Sequence, residues 1–445
     1  MVETILIETG PIFTMDRSNR IIDRGAIVIQ GNRIVEVGAE VSKEKYRIDT
    51  RIDAKKMAVI PGLVNTHMHS IVYAARGTIE EMMMSKGMDR TLEEFYYPFM
   101  KIVRPSDVYD EAVVAYLEAV RSGTTCVNEM YRHITACADA AEHVGIRAVI
   151  STESVDLVPG LENDLQDNEK AFNEKNNAAE GRVKIWFGVE WVPVCSPEFI
   201  MKTRELANKY HTGIHVHLNE SIGEVEWSKK KFGKRPIEHV YDLGLLGKDV
   251  TAAHCVWTTD REIRILKETG TNVATCPTSN MKLGNGIARI PDMINAGVNV
   301  GIGTDAPNTN LDMFEAMKYT SIVQRGNRLD SAAMPYQKII RMATVEGAQA
   351  LGFEDVGSIE PGKKADIVIV NLNVPKLQPV ITHGIFANLL PNLVYSAHGD
   401  VVDTVIIDGK IVMQNKVIKT MDEEKALERA ARSAETLFEQ MNQLV

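Results

Sequence analysis

The chain has 445 residues, of which 44% are hydrophobic and 25% are charged, and its formal net charge is −10. This length is too great for one ordinary core and suits a large domain with a smaller one beside it. The excess of acidic over basic residues argues against a nucleic-acid partner, because no basic stripe is present to offset phosphate charge.

The N-terminal pattern is not the one expected of an exported or membrane-anchored protein. Glu3 lies where a secretion signal would be basic, and no long apolar core follows it. No stretch approaches the roughly 18 uninterrupted apolar residues of a membrane span. The five cysteines are odd in number and scattered, which is typical of reduced, buried thiols. We therefore expect a cytoplasmic protein without a membrane partner.

Short β segments are predicted at both ends of the chain. Residues 26–37 place two apolar runs around a Gly31-Asn32 turn, and residues 402–413 do the same around Asp408-Gly409. Residues 365–370 add a further strand. Such short segments are unstable alone. The pattern therefore predicts one discontinuous β-sandwich domain, formed by residues 1–60 and 360–420.

Between these segments, strand-like runs alternate with helical stretches such as Asp107–Ser122 and Pro197–Tyr210. The predicted strands are Ala58–Asn65, Thr124–Glu129, Ala148–Thr152, Val183–Glu190, Gly213–Leu218, Val250–His254, Asn272–Cys276 and Val298–Asp305. This alternation predicts an α/β fold, a (β/α)8 TIM barrel over residues 61–359. The alternative, a doubly wound open sheet, lacks a glycine-rich phosphate turn. Residues 421–445 are predicted to form a C-terminal helix on the barrel or the sandwich.

Two histidines one residue apart close the apolar run Pro61–His69. In a strand, residues i and i+2 point to the same face about 6–7 Å apart, so His67 and His69 can bind one metal ion. The alternative is an ordinary polar strand end, because one such pair among 11 histidines needs support from its context.

That support comes from polar residues near the ends of later predicted strands, where barrels of this type carry their active sites. They are His215, His217, Glu220, His254 and Asp305. Zinc favours imidazole nitrogen and carboxylate oxygen and keeps one position open for water at catalytic sites. The predicted metal ligands are His67, His69, His217 and Asp305.

One divalent metal ion is expected, zinc in the first place, although the same ligands also serve iron and manganese. A second ion would need a bridging ligand, often a modified lysine at the end of the fourth strand. The lysine of that strand, Lys184, lies at its beginning. His215 points the same way as His217 but one step deeper, so we expect it to support the ligands or to pack.

Zinc lowers the pKa of a bound water molecule from about 15.7 to about 7. Glu220, three residues after His217, can take the water proton and deliver it to a substrate. His254 can orient the attacking oxygen or the developing anion. These roles predict a hydrolase.

Six segments together resemble the amidohydrolase superfamily over nearly the whole chain. They are residues 61–69, 217–220, 252–255, 279–284, 303–305 and 357–366. The chain is most similar to the mononuclear aminohydrolases of that superfamily. This branch includes methylthioadenosine/S-adenosylhomocysteine deaminases, guanine deaminases and the triazine chlorohydrolase/deaminase group.

The resemblance implies a barrel with a flanking β-sandwich, a homo-oligomer, and deamination of an N-heteroaromatic ring with release of ammonia. The implied substrate classes are aminopurines, adenosine derivatives, pterins and triazines. In this scheme Glu220 is the proton shuttle and His254 is the polarising histidine. Asp305 relays a proton to the departing ammonia. The implied metal ligands are His67, His69, His217 and Asp305. Two alternatives stay open: displacement of chloride, alkylthiolate or alkylamine, and a non-catalytic barrel that binds a heterocycle.

Departures from the family pattern concern the substrate. The stretch around Arg104 lies where the similar deaminases have a ribose-binding acid. Glu153 lies where they have an arginine after the third strand, and Glu190 lies where they have a histidine after the fourth strand. We expect these residues in the substrate site, and the missing acid argues against nucleosides, because unpaired buried polar groups cost about 1–3 kcal/mol each.

Two tryptophans and a methionine-rich stretch are further candidates for the substrate site. Trp191 and Trp257 either stack on a flat ring or pack the barrel mouth. The Met82–Met88 stretch is either an adaptable lid or plain helix packing, and the pattern favours packing.

Overall fold

The structure, a computed structural model, describes residues 2–161, 164–305 and 310–444. Its strands are β1 Thr4–Thr9, β2 Ile12–Phe13, β3 Ile21–Ile22, β4 Gly25–Gln30, β5 Arg33–Gly38, β6 Thr50–Ala54, β7 Met57–Pro61, β8 Leu63–Met68, β9 Thr124–Tyr131, β10 Arg147–Thr152, β11 Val183–Ile185, β12 Phe187–Trp191, β13 Ile214–Leu218, β14 Val250–His254, β15 Asn272–Thr275, β16 Val300–Ile302, β17 Ile367–Asn371, β18 Val402–Ile407, β19 Lys410–Gln414 and β20 Val417–Ile418.

The helices of the described ranges lie mostly between the strands of the middle region. They are α1 Val72–Ala75, α2 Glu80–Thr91, α3 Tyr97–Ile102, α4 Pro105–Arg121, α5 Ile134–Val144, α6 Asp164–Lys175, α7 Ala178–Gly181, α8 Pro197–Tyr210, α9 Ile222–Phe232, α10 Pro236–Asp242, α11 Asp260–Thr269, α12 Pro277–Lys282, α13 Ile290–Ala296, α14 Met313–Arg328, α15 Tyr336–Met342, α16 Val345–Ala350, α17 Leu389–Tyr395 and α18 Glu423–Leu444. Within the described part of the chain, no helix is long and apolar enough to cross a membrane.

The helices begin and end where local sequence signals place them. Ser196 accepts a hydrogen bond from the backbone N–H of Phe199 and so caps α8, which opens on Pro197. Thr259 and Glu262 form a capping box at the start of α11. Local chemistry thus explains why the predicted bounds of α8 agree with the structure.

The middle region is an α/β structure with two parallel sheets. One sheet has the strand order β11-β10-β9-β8 and the other β12-β13-β14-β15-β16. They meet at Trp186, whose N–H donates to Ile150 O at 2.9 Å, while the next N–H, of Phe187, donates to Gly213 O at 3.0 Å. The predicted fourth strand, Val183–Glu190, is therefore two short strands that bond to different neighbours.

At the opposite edges, β8 meets the segment that follows β16. The carbonyl oxygen of His67 accepts the N–H of Thr304 at 3.1 Å and the N–H of Asp305 at 2.9 Å. The predicted strand Val298–Asp305 is shorter than expected, because the chain leaves the extended conformation before Asp305, whose φ is 64°.

The predicted strand Ala58–Asn65 is wrong as a single element. The structure divides it at Gly62 into β7 and β8. Gly62 donates its N–H to Asp366 O at 2.9 Å, and a Cβ atom there would lie 2.0 Å from Thr125 Oγ1. The chain thus passes between sheets at a point where only glycine fits. As a consequence, His67 lies inside β8 rather than beyond a strand.

Strands from both ends of the chain pair with each other. β7 is antiparallel to β17 in a seven-stranded sheet of order β20-β19-β18-β17-β7-β2-β3, and a second sheet has the order β5-β4-β1-β6. Both predicted hairpins are present, as β4–β5 and β18–β19. Side chains of both sheets share one buried cluster, which includes Ile7, Ile27, Ile369 and Ile406.

Two contacts hold the outer parts of the chain to the middle region. The guanidinium of Arg147 at the start of β10 donates to Asp366 at 2.8 and 3.0 Å, and Asp408 Oδ1 lies 3.3 Å from Nη2. Helix α18 packs near α3 and α4, and its Phe438 stacks on Phe95, which precedes α3, at 6.1 Å between ring centroids. The predicted C-terminal helix is present.

Candidate metal centre and active-site cavity

Polar side chains gather where the parallel strands of the middle region end. His67 lies in β8 and His69 just after it, His217 lies near the end of β13, and His254 ends β14. Asp305 follows β16. Parallel strands end at a common edge, so residues far apart in sequence come together there. All five side chains are buried.

Four donor atoms of these residues converge. The Nε2 atoms of His67 and His69 lie 3.2 and 3.3 Å from Asp305 Oδ1. The Nε2 atoms of His69 and His217 are 3.3 Å apart. Ligand atoms held about 2.0–2.1 Å from a tetrahedral ion lie about 3.3 Å from one another. The spacing therefore fits a metal ion of zinc size.

The other ring nitrogen of each histidine points away from this centre. Nδ1 of His67 lies 2.9 Å from His215 Nε2, and Nδ1 of His69 lies 2.7 Å from Met130 O. Nδ1 of His217 donates to the backbone oxygen of Glu190. These partners hold each ring so that its Nε2 atom faces the centre, as in metal sites with histidine ligands.

The electrostatics of the centre favour a cation. Burial lowers the pKa of His67 to about 3 and also lowers the pKa of His217, so both imidazoles are neutral at pH 7. Burial opposes ionisation of Asp305, but the imidazoles beside it hold its pKa well below the ordinary value. The buried Nε2 of His67 has no hydrogen-bond partner among the described residues. At His69 burial lowers the pKa, but the carboxylates of Glu153 and Asp305 outweigh it and raise the pKa well above the ordinary value, so a bound metal ion would take the place of a proton there. Two neutral imidazoles, an ionised carboxylate and an orphaned nitrogen together fit a metal ion.

Glu220 lies beside this centre, two residues after β13. Its Oε1 accepts the side-chain N–H of Asn285 at 2.8 Å, and its backbone N–H donates to Glu224 Oε2 at 2.7 Å. Its Oε2 lies 3.8 Å from His254 Nε2. Burial raises the pKa of Glu220 above its ordinary value. A buried carboxyl group with a raised pKa is suited to act as a general acid and base.

His254 and Asp305 are held in backbone conformations that favour glycine, with φ of 71° and 64°. Nδ1 of His254 lies 2.9 Å from Asn280 Oδ1, and Ser279 Oγ donates to Asp305 Oδ2. Both partners belong to α12. Left-handed non-glycine residues cost about 1–3 kcal/mol each and are common at functional sites.

A cavity of about 690 Å³, including its open mouth, borders the metal centre. The described residues that line it are His69, Ile71, Ile79, Met83, Thr91, Leu92, Tyr96, Glu153, Glu190, Trp191, His217, Glu220, His254, Leu283 and Asp305. Its size and largely apolar wall suit a small flat molecule. Three of the predicted substrate contacts, Glu153, Glu190 and Trp191, are therefore placed at the cavity.

Two acids of the cavity differ in their bonding. Glu153 accepts the Tyr96 hydroxyl at 2.7 and 2.8 Å, and its Oε1 is 2.8 Å from Nδ1 of His69. Glu190 Oε2 is buried and has no hydrogen-bond partner among the described residues. Burial and then the charges of Glu153 and Glu220 raise the pKa of Glu190 well above its ordinary value. Glu153 thus supports a metal ligand, whereas Glu190 is free to bind something else.

Most of the sequence matches the model of a protein family. The model is described as the amidohydrolase family, and it matches residues 58–412. This chain belongs to the amidohydrolase family.

Curated relatives of this amidohydrolase are similar over almost their whole length. A 5'-deoxyadenosine deaminase of Methanosarcina mazei is 38% identical over 442 residues, which are 98% of this chain and 99% of the relative. A 5-methylthioadenosine/S-adenosylhomocysteine deaminase of Caldanaerobacter subterraneus subsp. tengcongensis is 34% identical over 439 residues, 98% of each chain.

A solved structure matches the fold of this amidohydrolase. It is an adenosine deaminase from Xanthomonas campestris with bound zinc, 27% identical, with a TM-score of 0.90. The match covers 97% of this chain and 98% of the other.

Two predicted substrate contacts of the amidohydrolase do not line the described cavity. The Arg104 side chain is 55% exposed and pairs with Asp107 at 2.8 Å, because it lies at the first turn of α4. Trp257 is 39% exposed and donates its indole N–H to Asn285 O at 2.7 Å. A role for either residue in substrate binding therefore stays a prediction without support from this cavity.

The Met82–Met88 stretch lies within α2 of the amidohydrolase. Met83 lines the cavity and Met84 is 79% exposed, whereas the side chain of Met88 lies outside the described residues. Met82 and Met83 pack against the main core. This packing is the interpretation that the sequence favoured.

The sequence reasoning missed three supporting residues of the amidohydrolase site: Ser279, Asn280 and Asn285. They follow β15, a late strand whose polar exit was not among the predicted site residues. The signal was available, since Cys276-Pro277 ends an apolar run and Ser279-Asn280 comes directly afterwards.

Proposed function

We propose that this protein is a zinc-dependent aminohydrolase that removes an amino group from an N-heteroaromatic ring and releases ammonia. The observation that carries the proposal is the convergence of His67, His69, His217 and Asp305 beside the buried carboxyl of Glu220. Relatives named as deaminases of adenosine derivatives, 34–38% identical over 98% of the chain, support the reaction type.

The scaffold of the proposed enzyme is a (β/α)8 barrel over residues 61–359. Its support is the two parallel sheets, the change of partner at Trp186 and the bonds from Thr304 and Asp305 to His67. We further propose a β-sandwich domain of residues 1–60 and 360–420, supported by the buried cluster that both terminal sheets share, and a C-terminal helix, residues 421–445, on the barrel. Assembly into a homo-oligomer stays a prediction, which light scattering can measure.

Zinc is the proposed metal, because three imidazole nitrogens and one carboxylate oxygen are a set that zinc prefers at catalytic sites. Bound there, it would supply a Lewis acid that lowers the pKa of water to about 7. Glu153 and the Met130 carbonyl hold the His69 ring, and His215 holds the His67 ring.

Glu220 is the proposed proton shuttle. Asn285 binds its Oε1, which leaves Oε2 on the side of His254 and the cavity. Burial raises its pKa, so it can take a proton from water and pass it to a ring nitrogen of the substrate. The bond from its N–H to Glu224 fixes the backbone that carries it.

His254 and Asp305 are the proposed partners of Glu220. Asn280 holds the His254 ring so that Nε2 faces Glu220, where it can stabilise negative charge that develops on the substrate side. Asp305 stays ionised because His67 and His69 lie beside it. Its second oxygen, held by Ser279, can receive a proton and relay it to the departing ammonia.

The test is ammonia release by the zinc-loaded protein from aminopurines, adenosine derivatives, pterins and amino-triazines. We expect turnover of at least one class, loss of turnover after chelation with recovery on adding zinc, and at least about a 100-fold loss in Glu220→Gln with metal content unchanged. If the protein holds stoichiometric zinc and releases ammonia from no substrate class, the proposal is refuted. Release of chloride or alkylamine without ammonia would favour the alternative leaving group.

A further inference from the structure

Several acidic side chains line the cavity beside the metal centre. Four carboxyl side chains line it, and no lysine or arginine is among its described lining residues. Three of the four are occupied: Asp305 by the histidines and Ser279, Glu220 by Asn285, and Glu153 by Tyr96 and His69. The remaining acid is Glu190.

Glu190 is positioned rigidly but its carboxyl group is not satisfied. Its backbone N–H donates to Ser154 O at 3.0 Å, and its carbonyl oxygen accepts from Nδ1 of His217. The residue is only 7% exposed, and its buried Oε2 has no hydrogen-bond partner among the residues that the structure describes. A buried acceptor without a donor is costly, so such an atom in a cavity points to a donor on a ligand.

Glu190 lines the same cavity as Glu220 and the proposed metal ligand His69. It lies close enough to Glu153, Glu220 and His69 to interact with their charges. Glu220 is the group that protonates the ring in the proposed function. A ligand group that meets Glu190 therefore belongs to the ring itself or to a substituent directly on it.

We propose that Glu190 determines substrate specificity by accepting N–H donors from the edge of the ring. The substrate class is then an aminoheterocycle with a second N–H donor group beside the one that is removed, such as a diaminopurine or diaminopteridine. An ionised Glu190 carboxylate would meet the lone pair of a bare ring nitrogen, whereas an amino group donates to the carboxylate and thereby favours its ionised form. This inference rests on the proposed function and names its substrate class.

The test compares ring pairs that differ by one amino group, with the zinc-loaded full chain. The pairs are 2,6-diaminopurine with adenine, the two corresponding ribonucleosides, and 2,4-diaminopteridine with 4-aminopteridine. We expect kcat/KM for ammonia release to favour the diamino member by at least about 100-fold, because sites built around a hydrogen bond reject analogues that lack it. In Glu190→Gln this preference should fall at least about tenfold.

A matched variant controls for the loss of one negative charge. Glu226→Gln removes an exposed acid from the neighbouring α9, and the preference should stay at its original value. A preference that falls equally in both variants would overturn the inference, because the effect would then come from general charge.

Binding without turnover tests the same point in case Glu190→Gln does not fold. Titration calorimetry on the zinc-loaded Glu220→Gln protein, with Glu190 intact, should show 2,6-diaminopurine binding at least about tenfold more tightly than adenine. Equal affinities would overturn the inference.

Two further outcomes separate this inference from the proposed function. If mono- and diamino rings release ammonia equally well, the aminohydrolase function stands and the role of Glu190 is refuted. If Glu190→Gln instead abolishes discrimination between adenosine and 2',3'-dideoxyadenosine, the carboxylate binds sugar hydroxyls and the role is again refuted. Ammonia release from none of the rings would refute the proposed function itself.

Discussion

Nδ1 of His67 lies 2.9 Å from Nε2 of His215, and both rings are fully buried. Nδ1 of His215 in turn lies 3.5 Å from the hydroxyl of Ser151. If His67 donates to His215 and His215 to Ser151, Nε2 of His67 is left as a bare lone pair that faces Asp305 and the other ligands. A histidine beneath the site thereby selects the tautomer of a metal ligand.

His215→Phe should weaken metal binding about 10- to 100-fold, because it removes the acceptor that orients His67. Competition with a chromogenic chelator measures the zinc affinity. His215→Gln, which keeps an acceptor, should lose less than His215→Phe. Equal affinities in wild type and His215→Phe would contradict the assigned role.

Asn280→Leu should lower kcat/KM about 10- to 100-fold with zinc content unchanged, because the His254 ring loses the partner that positions it. Steady-state ammonia release and metal analysis test this. Met281→Leu, a change of similar volume on the same helix, is the control and should retain activity. Full activity in Asn280→Leu would show that His254 needs no such support.

Arg147→Met should destabilise the protein by about 3–5 kcal/mol, since it leaves the buried carboxylate of Asp366 without its guanidinium partner and leaves Asp408 with Lys364 alone. Urea unfolding measures the change. The exposed ion pair of Lys410 with Glu180 is the comparison, and Lys410→Met should cost no more than about 1 kcal/mol. Similar losses in both variants would contradict the importance of burial.

Glu111 makes the stability depend on pH. Its Oε2 accepts the Tyr131 hydroxyl at 2.8 Å, its Oε1 is buried without a partner among the described residues, and burial raises its pKa to about 8. Between the ordinary pKa of 4.5 and about 8, the folded chain keeps this proton and the unfolded chain has lost it. The folded state is therefore favoured most below pH 4.5 with respect to this group, and that contribution is lost as the pH rises toward 8.

In Glu111→Gln, the decline of the unfolding free energy between pH 5 and 8 should shrink by up to about 4 kcal/mol. Glutamine keeps an oxygen for Tyr131 and has no proton to lose. Urea unfolding of wild type and variant across this pH range measures the difference. An unchanged slope would show that Glu111 is not the titrating group.

The strands and hairpins could be predicted from the sequence, but the point at which one predicted strand divides into two could not. Period-2 and helical patterns located the parallel strands, and the turn residues at Gly31-Asn32 and Asp408-Gly409 located both hairpins. The break at Gly62 was missed, because β7 and β8 form one apolar run and divide only through their partners, β17 and β9.

By itself, the sequence determined the histidines and carboxylates that meet at the ends of the parallel strands. Histidines and carboxylates near strand ends are recognisable by type and spacing, and strands that run parallel bring their ends to one edge. For this reason His67, His69, His217, Glu220 and Asp305 are identifiable from the order of residues alone.

Only the tertiary structure decided how those groups are held. Asn280 and Asn285 lie 26 and 65 residues from the side chains they bind, and the loop paths that join them leave no periodic signal in the sequence. The same holds for Arg104, which pairs with Asp107 outside the cavity, and for Glu190, whose buried carboxyl oxygen lacks a partner among the described residues. Hydrogen-bond partners depend on positions within fractions of an ångström, and tertiary packing sets those positions.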